Sequence, residues 1–229
     1  MLGWLFGRKK KKQELDEAAF EAWDKAKSAF MQDVLGQEHD MVMHAIIPYA
    51  IGGGLDLYYF PNGNGNGNGN GNGNGVAGTG IATKELVMAP RQGPINRVFK
   101  AYEWVMFTRE AIDLDAAKDE DSAFGRAHDT LNRLLNALAR YAEQATLNPN
   151  ETCEFPEDFD EHIGGTCLIF DAYSPPDASN DLGVGLMLAM RVHRSEMDYA
   201  REHGGAELIE KLKAAGRYPY SDLSGEAVA

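Results

Sequence analysis

Cysteine is nearly absent from this chain of 229 residues: two occur, Cys153 and Cys167. A chain of this length does not depend on one staple, so the usage fits a reducing, cytoplasmic setting. Their spacing matches no zinc motif. A single bridge between them is formally open, but Cys167 lies in the apolar run Thr166-Cys167-Leu168-Ile169-Phe170 and is expected to pack as a small hydrophobe. Catalytic signatures are missing too. There is no Gly-x-Ser-x-Gly, neither cysteine sits in a pattern of activation by histidine, and Glu38-His39-Asp40-Met41-Val42-Met43-His44 is not His-Glu-x-x-His. No enzyme, cofactor or metal is expected.

Basic charge is scarce outside one short stretch. The formal net charge is −13, yet five of the 22 basic residues are Arg8 to Lys12, leaving 17 against 35 acids and a net −18 for residues 13–229. Such a body repels phosphates and excludes nucleic acid as a partner, whereas it speeds encounter with a basic protein. Solubility alone is the competing reason for the charge. At the N-terminus an apolar patch, Met1 to Gly7, precedes the basic run, the reverse of a secretory signal. Without a lipidation motif, membrane contact there is at most weak.

What the chain does contain is seven consecutive Asn-Gly dipeptides, residues 62–75. Asn and Gly accept positive φ and bury almost nothing, so the tract reads as a low-complexity loop between strands. A phosphate-cradling glycine loop leads into a helix N-terminus, and here a second strand follows. The chain divides into a flexible apolar/basic end (1–13), a helix with its connection (14–41), one domain (42–218) and a flexible C-terminus (219–229).

The periodicities specify an α+β fold, a mixed or antiparallel sheet packed by helices. Leu15, Ala19, Trp23, Ala26, Phe30 and Val34 mark a helix over 14–36, and Phe124 to Ala145 carry the apolar face of a second over 119–147. A third is expected over 196–214, opened by Ser195 and Asp198 as a capping box and broken near Gly204-Gly205. Strands are expected at 42–50, 55–60, 81–88, 98–109, 166–173 and 184–193. Glu103 and Trp104 are neighbours on one strand, so one is expected to enter the core and the other not.

The order of blocks resembles the suppressor of fused-like domain family over about residues 42–218. It is carried by His44-Ala45-Ile46-Ile47, by Leu55 to Phe60, and by Thr79-Gly80-Ile81-Ala82 in the place of a Thr-x-Gly-Met-Ser-like turn. Tyr102-Glu103-Trp104-Val105-Met106, Leu134-Leu135-Asn136-Ala137-Leu138-Ala139 and Val192-His193-Arg194-Ser195-Glu196 complete it. Ala82 departs from the serine frequent in that family, and the Asn-Gly tract has no counterpart. The resemblance implies a non-enzymatic binding protein. No regulatory domain follows within these residues, which points to the bacterial single-domain type and to an immunity protein that neutralises a toxin by direct contact. The alternative is a scaffold that sequesters a client by β-strand addition.

Asp56, Glu103, Asp171, Tyr173 and Glu196 are the candidate partner-binding residues. Glu103 has a competing reading as a buried or ion-paired carboxylate, and Glu196 as a helix cap. His162, His193 and His203 would have to converge with Asp158 or Asp160 for an enzyme to be entertained.

Overall fold

The computed structural model describes residues 17–62, 76–176 and 182–229. The expectations for the N-terminal patch and for the body of the Asn-Gly tract fall outside the described residues. Helix α1 (Glu17–Leu35) is followed by β1 (Val42–Met43), β2 (Leu57–Asn62), β3 (Gly78–Ala82) and β4 (Tyr102–Thr108). Then come α2 (Ala123–Ala142), β5 (Thr152–Glu154), β6 (Cys167–Ala172), β7 (Gly185–Val192), α3 (Arg194–His203) and α4 (Gly205–Ala214). This is the expected α+β class.

The seven strands form one sheet in the order β1-β2-β3-β4-β7-β6-β5. Neighbours are antiparallel except β4 and β7, which run parallel. Both faces are covered. On one, α2 lays Leu131, Leu134 and Leu138 against Tyr59, Trp104 and Phe170. On the other, Met31 of α1, Met197 of α3 and Leu208 of α4 meet Phe60, Phe107 and Leu188. Central strands buried on both sides need no polar alternation, which is why β4 is apolar almost throughout.

Three expected strands are shorter than their apolar runs, each because side chains capture the backbone. Within the 42–50 run only Val42–Met43 pairs with β2, Pro48 making an isolated bridge to Gly54. Beyond Met43, Pro48 opens a 3₁₀ turn, and Arg140 of α2 holds the Gly53 carbonyl at 2.6 Å while Asn136 accepts from the Leu55 amide at 2.9 Å. The 81–88 run leaves the ladder after Ala82 because the Leu86 and Val87 amides turn to the Glu103 carboxylate, at 3.2 and 2.9 Å. In 98–109 the Asn96 side chain takes the Val98 and Phe99 amides, so the strand begins only at Tyr102.

The helices also start elsewhere. Ser122 caps α2, accepting from the Gly125 amide at 2.8 Å, so this helix begins four residues after the expected Asp119. The capping box of α3 is His193 with Glu196, not Ser195 with Asp198. The α3–α4 break falls at Gly204, whose φ is 101°, and Gly205 is required there because a Cβ would lie 2.1 Å from the Asn150 carbonyl oxygen. Residues 219–229 return to the body: the Ser221 amide donates to the Phe107 carbonyl at 2.9 Å, and Val228 and Ala229 pack on the second core.

Candidate functional site

The five residues nominated from the sequence do not form one patch. Glu103 has no exposed surface. It accepts from Thr83 Oγ1 at 2.6 Å and from the Leu86 and Val87 amides, with Lys27 Nζ at 3.5 Å. Lys27, equally buried, donates to the Lys84 and Val87 carbonyls at 2.6 and 2.8 Å. Glu103 therefore ties α1 to the sheet and faces no partner. Trp104 is buried on the opposite face, so the expectation that only one of the two enters the core is corrected by the helices on both sides.

Glu196 is also fully buried. It accepts from the His193 amide at 2.7 Å, from the Val228 amide at 2.9 Å and from the Arg217 guanidinium, so it caps α3 and clasps the chain end. Asp56 is partly exposed, accepting from the Ala45 amide at 2.9 Å and meeting His44 Nδ1 at 2.6 Å. Asp171 and Tyr173 stand together on the α3–α4 side. Asp171 accepts from the Tyr218 hydroxyl at 3.1 Å, and burial holds its carboxyl above the usual range. Tyr173 packs its ring 5.0 Å from Phe107, and burial pushes its hydroxyl up to about 12.

A different surface has the geometry of a docking site: the outer side of β5. Its ladder with β6 extends from Asn150 to Phe155, and no described strand lies beyond it. The Phe170 amide donates to the Glu151 carbonyl and the Phe155 amide to the Thr166 carbonyl, so residues 151, 153 and 155 address β6. By alternation, the backbone groups of Thr152 and Glu154 point outward. Two adjoining clefts, which share Tyr141, Cys153, Glu154 and Pro156, lie along this edge. One, of about 500 Å³, is lined by Ala137, Tyr141, Cys153, Phe155 and Phe159. The other, of about 460 Å³, lies over Leu147, Thr152, Cys153 and Arg201.

Two large side chains are left open here, Tyr141 at 45% exposure and Phe159 at 52%. The edge itself is held firmly, because Glu154 pairs with Arg194 at 2.6 Å and Arg201 at 3.3 Å, and these guanidiniums hold its carboxyl below the usual range. The opposite sheet edge, β1, has only two residues. Sequence reasoning missed β5. Its available signal was Phe155 and Phe159, aromatics stranded in the acidic loop Phe155-Pro156-Glu157-Asp158-Phe159.

Burial raises the Cys153 thiol to about 11, away from the thiolate a nucleophile needs. Cys153 packs on the first core and Cys167 on the second, so β5 and β6 aim them at opposite sheet faces and they do not bridge. The histidines stand in separate contacts: His162 against Glu161, His193 on the Gly225 carbonyl, His203 on the Tyr199 ring. Among the described residues no group of three or more His, Cys, Asp or Glu could hold a metal ion, and no helix is long and apolar enough to cross a membrane.

No protein-family model matches the chain, and no curated protein matches it in sequence. Similarity is found among solved structures. A chain of the Sufu-Fu complex crystal structure shares 13% identity with a TM-score of 0.56, and 91% of each chain is covered. The crystal structure of Drosophila Suppressor of Fused gives a TM-score of 0.49 at 12% identity, over 83% of this chain and 45% of that one. The first likeness spans nearly the whole of both chains and establishes a shared fold.

Proposed function

We propose that this chain is a non-catalytic protein-binding module that takes an extended segment of its partner along the outer side of β5. The carrying observation is a strand edge with no described strand beyond it and two adjoining clefts along it, with Tyr141 and Phe159 exposed beside it. Main-chain bonds to Thr152 and Glu154 supply affinity, and the clefts select side chains. The fold supports this reading, since the structure it resembles is of a protein complex, Sufu with Fu. The two unbridged thiols support a cytoplasmic setting.

The test is Thr152→Pro. The Thr152 amide points away from β6, so proline there leaves the inner ladder intact while removing a donor from the outer side. Partner binding is expected to fall by tenfold or more with the unfolding midpoint little changed. Unchanged binding would remove the edge from the account.

A second reading has one observation of its own, the net −18 of residues 13–229. That excess favours an immunity protein of the bacterial single-domain type, steered electrostatically onto a basic toxin. Ionic strength separates the readings: association with a toxin slows steeply with salt, whereas strand addition responds weakly.

A further inference from the structure

The one parallel pair of the sheet, β4 with β7, parts at its C-terminal end. The last registered pair is Val105 with Leu188. Past it the C-terminal segment enters: the Ser221 amide donates to the Phe107 carbonyl at 2.9 Å, and the Arg191 amide donates to Ser221 Oγ at 3.4 Å. Between these strand ends and α2 is a cavity of about 230 Å³, lined by Thr108, Thr130, Leu131, Arg191, Ser221 and Asp222 among others. The ends of parallel strands at a crossover are where open sheets commonly bind ligands.

Arg191 points into this cavity from the α2 face of β7. Its Nε is fully buried without a hydrogen-bond partner, and its guanidinium makes no hydrogen bond or ion pair among the described residues. The opposite charge acting on it, Asp222, is engaged elsewhere: it sits 3.6 Å from Arg109 Nε and accepts from the Ser224 amide at 2.7 Å. Glu110 also lines the cavity and makes no ion pair with Arg191. Arg109 is itself held by the Gly216 carbonyl at 2.6 Å and by the Tyr220 ring. Thr108 Oγ1 and Ser221 Oγ each accept one backbone bond and donate none among the described residues. The cavity thus holds an unanswered guanidinium and two hydroxyl donors. Arg191 is itself half-buried, but a buried Nε without an acceptor is costly, and arginine's fork suits planar and tetrahedral oxyanions.

We propose that this cavity binds a small oxyanion, a phosphate or a small carboxylate, on the Arg191 guanidinium between the ends of β4 and β7. The site is remote in the sheet from β5, being separated from it by β6, and does not depend on the protein-binding role. Thermal unfolding is followed in sodium phosphate, in sodium malonate and in sodium chloride at matched ionic strength. The wild-type chain gains stability saturably in phosphate, in malonate or in both, beyond the chloride control. The oxyanion that acts identifies the ligand class. Arg191→Met loses that gain and, without oxyanion, is at least as stable as wild type, because a side chain with a buried, unpartnered Nε has been removed. Should Arg191→Met fail to fold, Arg191→Lys keeps the charge without the fork and binds the same oxyanion at least tenfold more weakly by calorimetric titration. The same gain in wild type and Arg191→Met, undiminished affinity in Arg191→Lys, or no gain beyond chloride in wild type overturns the proposal.

Discussion

Lys27 and Glu103 show what a single buried charge pair commits the chain to. Their separation of 76 positions joins α1 to β4, and each is satisfied by further hydrogen bonds to the 83–87 turn. Lys27→Met removes the cation and leaves a buried carboxylate without its counter-charge, at a cost of about 3–5 kcal/mol in urea unfolding. Adding Glu103→Gln is expected to restore part of that loss; a purely additive double variant would deny the coupling. The sequence placed Glu103 correctly on a strand and kept the ion-paired reading open, but a carboxylate on an apolar strand carries no local mark of which face a helix covers.

His128 is the second residue with a measurable consequence. It is buried in α2, with Nε2 2.9 Å from the Tyr59 hydroxyl, and burial lowers its pKa from the ordinary 6.5. The unfolded chain therefore takes up this proton first. Stability is present above 6.5 and lost as pH falls from there toward the folded value. Denaturant unfolding from about pH 7.5 to about pH 5.5 is expected to show a downward slope that His128→Gln flattens. An unchanged slope would assign it to other groups.

At the scale of elements, the helices were legible because they carry a period of 3.6 over many turns. The spacing of Leu131, Leu134 and Leu138 located α2, and Gly204-Gly205 located the break between α3 and α4. Strand limits were not, since they were cut by side chains from afar: Arg140 at Tyr49 of the 42–50 run, Glu103 on the 81–88 run. The candidate edge was hidden for a different reason. β5 is three residues long, half-buried and without alternation, so its only mark in the sequence is the pair of aromatics after it, Phe155 and Phe159. Its pairing with β6 nonetheless has a chemical consequence. Cys153 and Cys167 face opposite sides of the sheet, so mild oxidation is expected to leave both thiols titratable after denaturation, with no intramolecular bridge in a non-reducing peptide map. Recovery of a Cys153–Cys167 peptide from folded protein would contradict this register.

For the whole molecule, the fold class followed from the order of helical and strand patterns, while the sheet order did not. β4 and β7 pair in parallel although some 80 positions separate Tyr102 from Gly185, and no local signal encodes that junction. Both the helix-covered sheet and the cavity at Arg191 depend on it. The acid excess was plain from composition, yet Glu103 and Glu196 are turned inward as structural ties, so charge alone did not point to the proposed interaction surface.

The central claim, that the outer side of β5 holds the partner, is tested most directly by quantitative capture from the native cells with wild type, Thr152→Pro and Phe159→Ser in parallel. The two edge variants keep the wild-type unfolding midpoint and lose a stoichiometric protein that wild type retains, while Arg191→Met keeps it. Equal recovery of that protein by wild type and both edge variants would contradict the account.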